Sequence, residues 1–348
     1  MGSRPRRCYT VAVTVEPLDP HTADPADLAA CHEIRAAWVA EDLPGDPVPT
    51  FEETMAWLTA TTPEERRLLR VVRVDGAVAG LSYLMLPLVQ NTGLAMLWPW
   101  VRPERRRRGL GTELLTDAVR SGRDDGRDTM LVEPVEGTAG AHFAERFGFA
   151  VGQRGVMSTL DLSTVDIDRL AAVEAAAHPP YRLEGWSGPV PGRIVERYVV
   201  ALNNMADAPV GDLNYDPPQW TPERLRYWES WVDQRDRDLL ATIAVHEPSG
   251  DVAGLTVVIV PRTPNGRAYQ DDTTVARAHR GNGLGLWVKA AMARRLLAEH
   301  PEVRDVITGN AEENTHMRRI NADLGFAVTR VIEERQAATA DVAKLLGI

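Results

Sequence analysis

The chain repeats itself. An arginine- and glycine-rich phrase occurs twice, as "ERRRRGLG" at 104–111 and within "ARAHRGNGLG" at 276–285, and its matching glycines, Gly109 and Gly283, stand 174 residues apart. Each phrase follows a strand-like run, opens a helix-like run, and is followed by a strand, a helix and a Gly-Phe pair (Gly148-Phe149, then Gly325-Phe326). Self-similarity on this scale requires two like folds in one chain. The 348 residues are too many for one ordinary core and enough for two domains of about 150–170 residues. The expected division is residues 1–162, an Ala-rich, helix-like linker at 163–180, and residues 181–348.

Read in order, the first half predicts a strand at 10–15, a helix at 26–39 and a short helix at "FEETMAWLTA". A hairpin turning at Asp75-Gly76 follows, then the strand "LAMLWPWV", the helix "LGTELLTDAVRSG", the strand "TMLVEPVE", a helix ending in "ERFGF", and a strand near 156–162. The second half runs through the same list. Its clearest signal is "TPERLRYWESWVDQ", with Thr221 as N-cap, Pro222 at N1 and an acid in the first turn. The fold class expected is α/β, with a mixed, twisted sheet flanked by helices in each half.

A formal net charge of −10 opposes nucleic acid, whose binding needs a basic face to displace counterions; it suits a cationic small molecule. No apolar run approaches the roughly 20 residues that cross a bilayer, and the basic opening leads into a strand-like segment with no apolar h-region. A cytoplasmic protein with no membrane partner is expected. The two cysteines, Cys8 and Cys31, lack metal-ligand or redox spacing, so neither a disulfide framework nor a metal site is expected.

The glycines have a chemical use. A helix N-terminus carries unpaired N–H groups and the positive end of the helix dipole, and a glycine turn leading into it can wrap a phosphate without side chains in the way. Neither copy has the Gly-Lys-Ser/Thr of a nucleotide P-loop, and neither lies on a first strand as a dinucleotide fingerprint would. In this arrangement the chain resembles the GNAT superfamily of N-acetyltransferases, as two tandem copies covering nearly its whole length. The second half looks most like that of actinobacterial tandem members, through "QDDTTVARAHRGNGLGLWVK" and "NAEENTHMRRINADLGF". The resemblance implies two GNAT folds and acetyl-CoA as acyl donor. Its pyrophosphate would lie on Arg106, Gly109 and Gly111 in the first copy, and on Arg280, Gly281, Asn282, Gly283, Leu284 and Gly285 in the second.

By the same resemblance, backbone N–H groups five and seven residues before the motif arginine polarise the acyl carbonyl. These are Val275 and Thr273 in the second copy, but Val101 and Pro99 in the first, and proline has no N–H. That loss favours the second copy as the catalytic one and leaves the first as degenerate or as a second CoA site. Candidate bases are Asp272 and Asp271 on the fourth strand of the second copy, with Glu133 on the fifth strand of the first as the rival. The family's usual thiolate-protonating tyrosine is replaced by Ala144 and Asn321, which leaves water or another hydroxyl such as Tyr269. Asn314 and Asn321, seven residues apart on one helix side, are expected to grip CoA.

His279 and His316 are further titratable candidates, and Arg105 to Arg108 suit a polyphosphate tail. The loop "NNMADAPVGDLNYDPPQW", with Asp207, Asp212, Asp216, Tyr215 and Trp220, is equipped to hold an ammonium in the second copy. The partners expected are a CoA thioester and a small-molecule amine, and the assembly a monomer or homodimer. The activity implied is acetyl transfer to a primary amine by direct attack. The alternatives are a longer acyl donor, or a non-catalytic CoA-binding sensor or scaffold.

Overall fold

Local signals set many element boundaries. Thr50 and Glu53 exchange side-chain and backbone hydrogen bonds in a capping box. Thr221 accepts from the Arg224 amide, and Asp75 and Gly76 take φ of 53° and 84°, the left-handed pair that a two-residue hairpin turn requires. In the computed structural model, which describes residues 12–176 and 178–348, the first half runs β1 (Val13–Pro17), α1 (Pro25–Asp42), α2 (Phe51–Thr59), β2 (Glu65–Val74), β3 (Ala77–Pro87), β4 (Leu94–Val101), α3 (Leu110–Asp124), β5 (Thr129–Val132), α4 (Ala139–Arg146) and β6 (Ala150–Asp161). Next comes α5 (Ile167–Ala175). The second half runs β7 (Tyr181–Ser187), α6 (Val195–Leu202), α7 (Pro222–Gln234), β8 (Arg237–His246), β9 (Asp251–Pro261), β10 (Arg267–Val275), α8 (Leu284–Glu299), β11 (Asp305–Ala311), α9 (Thr315–Leu324), β12 (Ala327–Ala338) and α10 (Thr339–Leu346). The expected elements are present in order. The first strand is seen from Val13, since residues 10 and 11, like Cys8, fall outside the described residues; Cys31 is a buried free thiol.

Among the described residues twelve strands form one sheet, in the order β1-β2-β3-β4-β5-β12-β6-β11-β10-β9-β8-β7. The halves exchange their last strands: β12 pairs with β5 of the first half and β6 with β11 of the second, and β6 and β12 pair with each other at the centre. The helix after each exchanged strand follows it across. Val342 and Ala343 of α10 join the core under α3 with Leu115 and Ala118. Leu170 of α5 joins Ala290 and Leu296 of α8, and the indole N–H of Trp287 donates to the Glu174 carbonyl at 2.8 Å. The helix-like segment expected as a linker does contain a helix, α5, which packs into the second half's helical layer. The boundaries at 162 and 181 divide the sequence, while the cores cross them.

Helices cover both faces. One face buries α1 and α2 on Leu69, Leu81 and Trp100, and the other buries α3 and α4 on Leu84 and Leu97; the second half repeats this with α6 and α7 and with α8. In α8, Lys289 is 3% exposed, its ammonium 5.1 Å from the centre of the Phe326 ring. Burial pushes it down to about 7. The unfolded chain protonates this lysine near 10 and the folded chain resists until about 7, so stability is lost as pH falls across that window. Lys289→Met is expected to raise the melting temperature, with a larger gain at pH 7 than at pH 10, as thermal unfolding at the two pH values would show.

Candidate active site

β4 and β5 pair only from Leu94 to Met96 and from Thr129 to Leu131. Beyond, the strands part, and the wedge between them opens a cavity of about 490 Å³. Leu97, Pro99 and Val101 wall one side and Val132 and Pro134 the other, with Gly109 and Gly111 at its mouth. Gly109 has φ of 86° and Arg107 of 62°. These left-handed residues aim successive amides outward, as a nest does. A Cβ on Gly109 would meet nothing within 4 Å, so the turn faces open space. Arg106 bonds back to the Val101 carbonyl (3.3 Å) and pairs with Asp42 (3.2 Å), so it fastens the turn to the strand, while Arg105, Arg107 and Arg108 are exposed.

Pro99 pairs with Ser82 in an unbroken antiparallel register, and Arg102, three residues on, donates to the Ala79 carbonyl. Donors toward β3 therefore alternate through Trp98, Trp100 and Arg102, and the N–H that proline lacks belongs to the cavity side. Leu97 and Val101 share that orientation and keep theirs.

Glu133, just past β5, closes the inner end of the wedge. Its carboxylate accepts from the Trp98 indole at 3.0 Å, and the Trp98 ring stacks on Tyr83 at 5.1 Å. Glu133 also lines a second cavity of about 340 Å³ with Glu64, Glu65, Glu334, Tyr215 and Arg224. Burial, reinforced by the Glu334 charge, pushes its carboxyl up to about 7, and burial raises Glu65 and Glu334 as well. Arg224 is paired to Glu64 at 2.7 Å. The chamber is therefore acidic in balance, and its three remaining carboxylates hold their protons more tightly than in water.

Tyr215, Arg224 and Glu334 belong to the second half. The loop at 203–220, expected to serve that half's own site, instead crosses to the first: Asp216 donates its amide to Asn91 (2.8 Å) and Gln90 donates to the Pro217 carbonyl (2.7 Å). Asp207 leaves the loop to pair with Arg277 and Arg280.

The second half repeats the scaffold with a different filling. Arg280 bonds to the Val275 carbonyl at 3.1 Å, and Gly281 and Gly283 have φ of 83° and 73°. Here one side chain leans on the turn: His178 Nδ1 is 3.1 Å from the Asn282 carbonyl and a Cβ on Gly283 would lie 3.3 Å from His178 Cε1, while a Cβ on Gly281 would meet nothing within 4 Å. The register from Tyr269–Ile307 to Met96–Leu131 puts Gly309 where the first half has Glu133, and a Cβ there would lie 2.9 Å from Met157 Sδ. Asp271 and Asp272 sit at a bulge between Gln270 and Thr273. Enclosure by protein raises both, and Asp271 adds its repulsion to Asp272. Thr273 shares its hydroxyl with Thr256 at 2.7 Å.

The asparagines expected to grip a ligand have internal work. Asn314 caps α9 through the Met317 amide (3.2 Å). Asn321 is 2% exposed and donates to Asn310 at 2.7 Å, while its Oδ1 is buried with no partner. Tyr269 lies at a third cavity, between the halves. His316 is exposed. His279 bonds to the Tyr181 hydroxyl at 3.1 Å and gathers with His246 and Asp251, their ligand atoms within 4.8 Å of one another. This grouping is able to hold a metal ion, and it is invisible in the sequence because 33 residues separate His246 from His279. No helix among the described residues is long and apolar enough to cross a membrane.

Comparisons with known proteins agree with this geometry. Residues 31–149, which contain the open wedge, match the acetyltransferase (GNAT) family model. A tandem GNAT protein from the clavulanic acid biosynthesis pathway, solved without acetyl-CoA, is similar over 94% of this chain and 99% of its own, with TM-score 0.81 and 28% identity. A GCN5-related N-acetyltransferase from Sphaerobacter thermophilus shares the fold at TM-score 0.67 and 18% identity, over 94% of this chain and 96% of its own. Comparison with curated proteins finds no match.

Proposed function

Since the chain is a GNAT-type N-acyltransferase built of two such folds in tandem, we propose that its first half transfers an acetyl group from acetyl-CoA to the primary amine of a small cationic molecule. The observation that carries this reading is the meeting of two cavities at Glu133, an open wedge behind a glycine turn on one side and an acidic chamber on the other. Sequence reasoning weighted the second half because of Pro99. The open turn and Glu133 favour the first, against the His178 contact on the turn and Gly309 of the second.

Acetyl-CoA would supply the acyl group as a thioester. The amides of the 107–111 turn face the pyrophosphate, with the three exposed arginines beside it. The Val101 amide remains to polarise the carbonyl. Glu65 and Glu334 hold an ammonium in the chamber; it gives one proton to solvent to free its lone pair, and Glu133, poised near neutrality, takes the second proton as the nitrogen bonds to the acyl carbon. The C–S bond breaks and the sulfur leaves as thiolate. A free thiol titrates near 8.5, so solvent can return that proton, and Ala144 in place of a hydroxyl is tolerable.

Calorimetric titration with acetyl-CoA tests the assignment. Gly109→Trp is expected to abolish binding, because its bulk fills the turn at a positive φ, and Gly283→Trp to leave it intact. The reverse pattern would return the donor site to the second half with Asp271 and Asp272. Binding without turnover on a broad panel of amines would favour the sensor or scaffold reading.

A further inference from the structure

The second half has its own counterpart of the acidic chamber, with an arginine where the first half has Glu65. Arg237 opens β8 as Glu65 opens β2, Pro261 closes β9 as Pro87 closes β3, and Tyr269 is third in β10 as Met96 is third in β4. These second-half positions line a cavity of about 150 Å³ between the halves, completed by Arg35 of α1 and by Arg235. Among the described residues, the guanidinium groups of Arg35, Arg235 and Arg237 make no side-chain hydrogen bond or ion pair, and Arg35 Nε is buried with no partner. Each is held by an aromatic face instead: Arg35 lies 3.9 Å over Trp57, Arg237 4.7 Å over Tyr269 and Arg235 4.3 Å over Trp231. Stacking of this kind fixes the guanidinium plane and leaves its N–H edge free.

The carboxylates at the rim are already committed. Glu53 accepts from the Thr50 amide and from Asn265, Asp46 pairs with Arg267 and Arg330, and Asp236 turns toward Arg262. Burial, with the repulsion of neighbouring guanidiniums, pushes Arg35 down to about 10 and Arg235 to about 9. Gathering three cations with no carboxylate paired to any of them is costly unless something supplies a partner.

We propose that this cavity is a binding site for a small oxyanion carrying at least two negative charges, a phosphate-bearing or dicarboxylate metabolite, held on the N–H edges of Arg35, Arg235 and Arg237. The volume admits a phosphate group or a four-carbon diacid and excludes a nucleotide. Guanidinium forks match the paired oxygens of either group.

The test is calorimetric titration of the full chain with inorganic phosphate and, separately, with succinate, at ionic strength held constant with chloride. Saturable one-to-one binding of either anion is expected, weakened at least about tenfold by Arg237→Met and by Arg235→Met, since each removes charge-assisted hydrogen bonds. Both variants relieve like-charge repulsion, so without the anion they are expected to melt no lower than the wild type, which separates lost binding from lost fold. Phosphate alone, succinate alone, or both titrating would each support the site and name its chemistry. No saturable binding of either anion, or equal affinity in the wild type and both variants, would overturn it.

Discussion

Glu133→Gln is expected to lower kcat by roughly 10²- to 10⁴-fold, the usual worth of a positioned general base, while the affinity for acetyl-CoA stays unchanged. Glutamine keeps an oxygen for the Trp98 indole and fills the same space between the cavities, so the loss would be that of proton acceptance alone. In the wild type, kcat/KM should rise as Glu133 deprotonates near pH 7, and the variant should lose that limb. Stability moves the other way. A carboxyl raised from about 4.5 to about 7 favours folding fully below pH 4.5, and that contribution is lost as pH rises through 7. Above pH 7 the ionised, desolvated carboxylate therefore costs of order 2 kcal/mol, less than the full shift would give because solvent reaches it through the cavities. Glu133→Gln should accordingly melt higher than the wild type at pH 8 and nearly equal to it at pH 4. A variant that is less active and more stable is expected of a functional carboxylate held at a site the fold would rather leave apolar. If activity persisted across the pH range, Glu133 would not be the base.

What could be read ahead of the structure was whatever is local. The hairpin at Asp75-Gly76, the Thr221 cap and both glycine turns need only neighbours in sequence, and all are in place. Relations between distant residues were the harder part. Pro99 correctly marks a missing donor on the wedge side, yet its weight depended on what leans on the other turn, and His178 reaches Asn282 from more than 100 residues away. Asn314 and Asn321 were paired by spacing alone, which could not show that one caps α9 and the other donates to Asn310. The 203–220 loop carries the expected acids and aromatics and serves the opposite half. α10 went unread because "TADVAKLL" is short and ends the chain. Hydrophobic period reveals strands and helices but not which neighbour a strand will take, so the exchange of β6 and β12 left no mark that one sequence could show.

That exchange carries the second large effect: neither half should fold by itself. Produced alone, residues 12–162 would leave β5 without the β12 ladder that pairs Arg335 to Ala338 with Val132 to Thr129, and β6 without its seven-residue pairing to β11. The core around Leu115 and Ala118 would lose Val342 and Ala343 of α10. An unpaired edge on β5, both unpaired edges of β6 and an uncovered apolar face make an aggregation-prone species. Each half made separately is therefore expected in the insoluble fraction, and the two halves made together are expected to assemble as a one-to-one complex. Cutting the chain in the exposed turn at 163–164 should leave a complex that melts cooperatively close to the intact protein. The same dependence reaches the chemistry. A first half that did stay soluble would hold Glu133 and the open turn but lack Tyr215, Arg224 and Glu334, the wall of the acidic chamber, and should bind acetyl-CoA without acetylating amines. On the proposed function the second half is thus still required, because it would build the acceptor side of the first. A soluble, monomeric fragment 12–162 with a cooperative melt and full activity would contradict both parts of that account.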